Sequence, residues 1–305
     1  MNAPLFNVLA AVLLLTGLPT SSAHAADEPI VLEPSSEWVL DYEDDACSLR
    51  RAFGGASDIE PVYLEMRQYA PGESLETWVA TDRFSPRRNG RDQQFEGGWL
   101  PDPDDARERV MTVEMPTGLE GFVHTSSLRS AAQVERDEHE NGKLDEWPDS
   151  DRDAREGAIT GYLVGNVFSE DFILQTGEMH GPMNAMRTCI DELLGHWGID
   201  AEANRTLNRE AEPKNLLAIA RDLQEHYPSE MLLRGYQAIV NLRAIVEIDG
   251  TASDCAIRTA VGSDEFKAES CRIVLDKARF DPALDRNGDP VQSYWVTTIT
   301  YQIGR

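Results

Sequence analysis

The side chains that could do chemistry are few in type. Cysteines stand at Cys47, Cys189, Cys255 and Cys271, and no pair has the C-x-x-C spacing of a metal knuckle or a redox motif. Beyond the first 25 residues, histidines occur at His124, His139, His180, His196 and His226, with no two at ligand spacing on one element. Asp137-Glu138-His139-Glu140-Asn141-Gly142 places a glycine at the sixth position of a calcium-like loop, but the third position is not acidic and Pro148 stands where a bidentate glutamate belongs. Asp149, Asp151 and Asp153 alternate, yet Ala154 replaces the required glycine. The chain has no G-x-S-x-G, H-E-x-x-H, P-loop or G-x-G-x-x-G. Trp99, Trp147 and Tyr162 read as packing residues rather than sugar platforms. The sequence therefore predicts no catalytic residues, no metal and no cofactor, and a protein that is not an enzyme.

The compartment follows from the first residues. Val8–Leu18 is apolar apart from Thr16 and Gly17, and Ala23-His24-Ala25 supplies small residues for a cleavage site. Residues 1–25 are thus predicted to be a signal peptide and the protein to be periplasmic. The alternative is an uncleaved inner-membrane anchor facing the periplasm, for which the apolar run is short of the roughly 20 residues a spanning helix needs. In an exported chain an even number of cysteines points to disulfides.

Charge divides the chain. It holds 54 acidic and 28 basic side chains, a net charge of −26. Residues 227–305 carry 11 acidic and 9 basic ones, so nearly all the excess lies before them. Nucleic acid is excluded as a partner, because its binding requires a basic footprint. The asymmetry suggests two domains.

The elements that must position these residues are predicted as follows. Residues 29–200 form an acidic, β-rich domain with strands near Trp38–Tyr42, Val62–Arg67, Thr77–Ala80, Val110–Met115, Gly121–Thr125, Ala158–Val164 and Asp171–Gln175. Turn clusters at Pro71-Gly72, Asn89-Gly90 and Pro101-Asp102-Pro103-Asp104 separate the strands. Glu135–Glu156 has almost no apolar residues and reads as a solvated loop. A closing helix begins at Gly181-Pro182 and carries Met183, Met186, Ile190, Leu193 and Trp197 on one stripe, ending at Gly198. Residues 201–226 read as a helical linker, broken at Tyr227-Pro228.

Residues 227–305 show the clearest pattern. Val240, Leu242, Ala244, Val246 and Ile248 alternate with Asn241, Arg243, Ile245, Glu247 and Asp249, predicting a half-buried strand with one apolar face. Asp249-Gly250 signals a hairpin, and Cys255, Ile257, Thr259 and Val261 share a face of the next strand. A helix from Ser263 or Asp264 to about Ala278 and a last strand Tyr294–Ile303 follow. The order is helix, strand, strand, helix, strand. Cys255 on the second strand and Cys271 on the following helix both face the strand–helix interface and are paired on that ground, which leaves Cys47 for Cys189.

This segment resembles the C-terminal domain of TonB-type energy transducers. The residues that carry the resemblance are Tyr227-Pro228, Gly235, the strand ending Asp249-Gly250, Ala278-Arg279-Phe280 before Pro282-Ala283, and Gly288, Pro290 and Val291 before the last strand. Its two cysteines are similar to a subgroup of these domains common in alphaproteobacterial proteins. The family usually has Ser-Ser-Gly where this chain has Ala260-Val261-Gly262. Trp38–Asp200 resembles an uncharacterised region found before such domains, through Cys47, Arg51-Ala52-Phe53-Gly54, Cys189-Ile190-Asp191-Glu192-Leu193-Leu194 and Trp197-Gly198.

The resemblance implies an α+β fold, a two-layer αββαβ domain with an antiparallel sheet, behind the β-rich domain with its closing helix. It also implies a protein-interaction module whose last strand accepts an extended peptide of an outer-membrane TonB-dependent receptor or another envelope protein. The positions concerned here are Tyr294, Trp295, Val296, Thr297, Thr298, Ile299, Thr300 and Tyr301. The other use of such an edge is pairing with a second copy, giving a homodimer. Transducers also carry an uncleaved helix that engages the ExbB–ExbD motor and a Pro-rich spacer. Neither is seen here, so coupling to the motor is not carried over with the fold. A true transducer with an uncleaved anchor, or an enzyme or envelope scaffold in the N-terminal domain, are the alternatives.

Overall fold

The computed structural model describes residues 28–57, 59–87, 94–114, 118–129, 133, 149–226, 229–234, 238–261 and 264–301. Residues 1–25, Asn89-Gly90, the calcium-like loop with His139, Trp147, Tyr227-Pro228 and Gly235 lie outside them. The described chain is mixed α+β with several antiparallel sheets and few helices.

Two sheets build the N-terminal unit. One has the order β2 (Val39–Tyr42), β3 (Cys47–Phe53), β4 (Val62–Gln68), β5 (Leu75–Ala80), β9 (Glu120–Ser126), β8 (Met111–Glu114), all antiparallel. The other runs β1 (Ile30–Leu32), β11 (Phe172–Leu174), β10 (Gly161–Gly165), β6 (Gln94–Leu100), β7 (Asp104–Arg109), with β1 parallel to β11. Alternation decides which side faces in. On β4, Val62, Leu64 and Met66 join a core that also takes Phe95, Phe122, Tyr162, Phe168 and Phe172. Trp99 and Tyr162 are core residues, their rings 4.8 Å apart.

Strands β1, β3, β6 and β7 are absent from the sequence expectation, and β3 and β6 show why. The β3 strand carries Arg50 and Arg51 in its middle, which reads as surface. Arg50 pairs with Asp41, Glu43 and Glu65 on its own sheet, and Arg51 lies over the Trp38 ring. The β6 strand contains Gly97-Gly98, which reads as a turn. A Cβ at Gly97 would fall 2.1 Å from the Leu163 carbonyl oxygen, so the neighbouring strand passes where only glycine leaves room.

The expected solvated loop Glu135–Glu156 is corrected at its end. Helix α1 (Asp149–Ala158) covers part of it, and Glu156 is buried, both carboxylate oxygens bonded to Arg187 at 2.7 and 3.0 Å. The closing helix, α2 (His180–His196), begins one residue before Gly181-Pro182. Its N-cap is Met179, whose side chain makes no capping bond, and Glu178 Oε2 accepts from the His180 N–H at 2.9 Å. Met183, Met186, Cys189, Ile190 and Leu193 face the core as their spacing requires. Gly198 ends the helix with φ +79°. A disulfide joins Cys47 on β3 to Cys189 on α2.

A second core lies in the C-terminal part. Strands β14 (Ala252–Val261), β13 (Ala238–Val246) and β18 (Ser293–Tyr301) form an antiparallel sheet in that order. Short helices α3 (Ala201–Arg205), α4 (Leu216–Glu225) and α5 (Ser229–Arg234) precede it, and α6 (Asp264–Lys277) packs on it. Leu242, Ala244 and Val246 meet Ile273, Val274 and Ala278. Cys255 and Cys271 are bonded across this interface, in the pairing expected from the sequence.

Residues 201–226 do more than link. Ala211, Ile219 and Leu223 enter this second core, and Glu212–Pro213 (β12) pairs with Phe280–Asp281 (β15). The two-residue strands β16 (Ala283–Leu284) and β17 (Pro290–Val291) close a turn before β18.

Strand β13 departs from the half-buried expectation. It stops at Val246, and Ile248 is exposed because the chain turns from Glu247 to Thr251. Its supposed outer face is covered as well: Arg243 and Ile245 are buried against the N-terminal unit. Ile245 packs with Leu194 and Ile199, beside Trp197 and Tyr294.

Candidate functional site

The predicted partner-binding residues fall on one strand. Tyr294–Tyr301 all lie in β18, which pairs with β13 from Val246↔Ser293 to Ala238↔Tyr301. Among the described residues no strand pairs with the other side of β18. A nine-residue edge therefore presents backbone N–H and C=O groups to whatever extended chain can reach them.

Packing fixes the pose of this edge. Trp295 and Ile299 point to the α6 side, where the Trp295 ring meets Phe280 at 5.4 Å. On the opposite face Tyr294 meets Trp197 at 6.5 Å, and the Thr298 hydroxyl donates to Asn241 Oδ1 at 2.7 Å. Ser293 is buried and donates to Asn204 Oδ1 at 2.6 Å, which anchors the start of the strand. Val296 stays 43% exposed. Among the described residues the strand is thus held on both faces and open along one edge.

Beside it, sequence reasoning missed a cleft of about 520 Å³ between the two cores. Its walls include Asp44 and Asp45 from the β2–β3 turn, His196 and Trp197 from the end of α2, Arg243 of β13 and Gln292 before β18. The Arg243 guanidinium lies 4.1 Å from the Trp197 ring centroid. Its Nη2 reaches Asp45 at 2.9 Å and Asp254 at 3.1 Å. Asn241 Nδ2 donates to Glu76 Oε2 at 2.9 Å, a further tie between the units. No periodicity in the sequence signals the ties to the N-terminal unit, since Arg243 and Asp45 stand 198 positions apart and Asn241 and Glu76 165.

The remaining candidates separate. His124 is hydrogen-bonded to the Tyr162 hydroxyl at 2.5 Å, within an aromatic cluster. His226 Nδ1 lies 2.8 Å from the Asp222 carbonyl. Asp153, Glu156 and His180 each bring one ligand-type atom within 4.8 Å of the others, and among the described residues these are the ones that could hold a metal ion. Arg187 already engages both Glu156 oxygens, which supplies the positive charge a cation would otherwise bring. Two carboxylates shifted by hydrogen bonds lie in turns. Hydrogen bonds from Thr251 hold Asp249 below the usual carboxylate range, and those from Asp289 and Asn287 do the same for Asp285.

Comparison with known proteins bears on the C-terminal part. Residues 224–303 match the family model for the Gram-negative bacterial TonB protein C-terminal, and that segment falls in the TonB C-terminal family. The solution NMR structure of the Pseudomonas aeruginosa TonB CTD is 21% identical, over 33% of this chain and 94% of that chain, with a TM-score of 0.24. None of the curated proteins matches. Among the described residues no helix is long and apolar enough to cross a membrane.

Proposed function

We propose that this is a non-enzymatic envelope protein that binds an extended segment of a partner by adding it to β18. In this reading residues 29–200 are an acidic domain, 201–226 lead into the C-terminal domain, and 227–305 are a TonB-type αββαβ interaction domain. The protein is exported to the periplasm after removal of residues 1–25, and an outer-membrane TonB-dependent receptor is the partner. The observation that carries the reading is the edge of β18, paired on one side and anchored at Ser293, in a segment that matches the TonB C-terminal model. Main-chain hydrogen bonds along such an edge give affinity, and pockets for alternate side chains give selectivity.

Proline variants test it, because proline removes one N–H from a ladder. Successive residues of a strand aim their N–H groups to opposite sides, so one of Thr297→Pro and Thr298→Pro removes an outward donor and the other an inward one. Synthetic peptides covering the N-terminal segments of outer-membrane receptors from the same organism are titrated into the ¹⁵N-labelled chain. The expected result is chemical-shift change along β18, weakened at least tenfold by the variant that keeps the wild-type urea midpoint. Peptides that bind both variants as well as wild type, or that bind without moving β18 resonances, overturn the reading.

A further inference from the structure

Strand β18 carries a side-chain pattern that does not tell its own faces apart. Tyr294, Val296 and Thr298 stand on one face, and Trp295, Thr297 and Ile299 on the other. Each face thus holds one aromatic, one β-branched aliphatic and one threonine. A slip of one residue against β13 exchanges the two sets, and with them the backbone groups that face the open edge. Burial therefore specifies the register weakly. No hairpin turn specifies it either, because β14, α6, β16 and β17 lie between β13 and β18.

Most contacts along the strand have a substitute one position away. The slip that sets Tyr294 opposite Ala244 brings its ring to the place where Trp295 meets Phe280. The same slip brings the Thr297 hydroxyl to Asn241 in place of that of Thr298. Tyr294 meets Trp197 only at 6.5 Å, near the limit of ring contact. The Gln292 amide and the Glu247 carboxylate are joined through long side chains, and β17 pairs over two residues only, so both can follow the shift.

One contact has no substitute. The Ser293 hydroxyl donates to Asn204 Oδ1 at 2.6 Å, while Asn204 Nδ2 donates to the Gln292 carbonyl at 3.1 Å and to the Asp200 carbonyl at 3.0 Å. Ser293 is 2% exposed and Asn204 7%. After the slip Gln292 stands in the place of Ser293, too long for a buried space, and Asn204 Oδ1 loses its donor. Leaving a buried polar group unpaired is costly. In coiled coils a single buried asparagine fixes register by the same penalty. Asn204 does not belong to the sheet that it holds. It sits on α3, directly after the closing helix of the N-terminal unit, and the neighbouring Arg205 bonds both oxygens of Asp191 on α2, at 3.3 and 2.6 Å. The Cys47–Cys189 bond ties α2 to β3 in turn.

We propose that Asn204 is the register pin of β18, a positioning residue through which the N-terminal unit decides which residues turn their N–H and C=O groups to the open edge. An arriving segment then meets one fixed set of donors and acceptors instead of two. That a segment arrives rests on the strand-addition reading; the pinning itself does not.

The test uses the full, oxidised chain labelled with ¹³C and ¹⁵N, and reads the register from NOEs between β13 and β18. Wild type is expected to connect Ala244 with Trp295 and Asn241 with Thr298. Two variants remove the pin. Ser293→Ala deletes the hydroxyl, and Asn204→Leu/Ser293→Ala replaces both partners, leaving neither buried and unpaired. Each is expected to show a second set of β18 resonances, populated to about a tenth or more, that connects Ala244 with Tyr294 and Asn241 with Thr297. The affinity of the receptor peptides should fall by the fraction that leaves the wild-type register. A merely structural bond would lower the urea midpoint and leave one set with wild-type NOEs; one such set in both variants overturns the proposal. If the double variant does not fold, Ser293→Ala decides by the same NOEs. The two readings fail separately. Receptor peptides that bind while the register stays single in the variants refute only the pin, and a second register in a chain that takes up no receptor peptide refutes only strand addition.

Discussion

Gly250 closes the turn between β13 and β14 with φ +80°, a conformation that costs a residue with a Cβ. A Cβ there would also stand 2.2 Å from the Phe280 carbonyl oxygen, and backbone cannot yield as a side chain can. The neighbouring carboxylate completes the turn: Asp249 Oδ1 accepts from the Thr251 N–H at 2.9 Å and from its hydroxyl at 2.7 Å. Gly250→Ala is therefore expected to destabilise the C-terminal part by about 2–4 kcal/mol, the strain of a non-glycine left-handed residue plus displacement of Phe280. Urea denaturation followed by Trp295 fluorescence checks it, and an unchanged midpoint would show that the turn relaxes. At this scale the sequence is legible where one residue type has one use, as in the Asp249-Gly250 pair. It is not legible at Glu156, whose burial depends on Arg187 arriving from another helix.

Elements were read best where periodicity is undisturbed by long-range ion pairing. The α2 stripe is visible because its apolar positions repeat at the helical period, and the last strand because it is rich in β-branched and aromatic residues. Strand β3 is not, because two arginines interrupt the pattern: Arg50 finds its partners on β2, β4 and the turn between β2 and β3, and Arg51 donates to the Ser36 and Thr176 carbonyls beside the Trp38 ring. Between β14 and α6 the cysteines are the strongest local constraint. The Cys255–Cys271 bond closes a loop with a separation of 16 residues. In the chain-entropy model a loop of that size stabilises by about 3 kcal/mol. The double variant Cys255→Ser/Cys271→Ser should lower the urea midpoint of the C-terminal part accordingly, whereas opening Cys47–Cys189 by Cys47→Ser/Cys189→Ser should act on the N-terminal part. Hydrogen exchange resolved by residue distinguishes the two. Equal loss of protection in both parts from either variant would mean that the cores do not respond separately.

For the whole molecule the deciding feature is how the acidic unit sits on the free face of the TonB-type sheet. Charge asymmetry suggested two parts but not their contact, since Arg243 looked like a solvent-facing residue of an alternating strand. In the structure it is the hinge pin of the contact, stacked on Trp197 and held by Asp45 and Asp254. Removing one partner of a buried pair costs more than replacing the buried ion by an apolar side chain of similar length, because the first leaves an uncompensated charge. Asp45 and Asp254 are 29% and 60% exposed and can return to water when Arg243 is gone. Asp45→Ala leaves Arg243 in place with fewer acceptors. The expected order of destabilisation is thus Asp45→Ala, about 2–3 kcal/mol after allowance for the partial exposure of Asp45, above Arg243→Met, under about 1.5 kcal/mol. Urea midpoints of the full chain measure both, and the double variant gives their coupling. If Arg243→Met proves the more damaging, the guanidinium has acceptors beyond Asp45 and Asp254 in the free protein, and the contact between the units depends on the cleft's contents rather than on the ion pair alone.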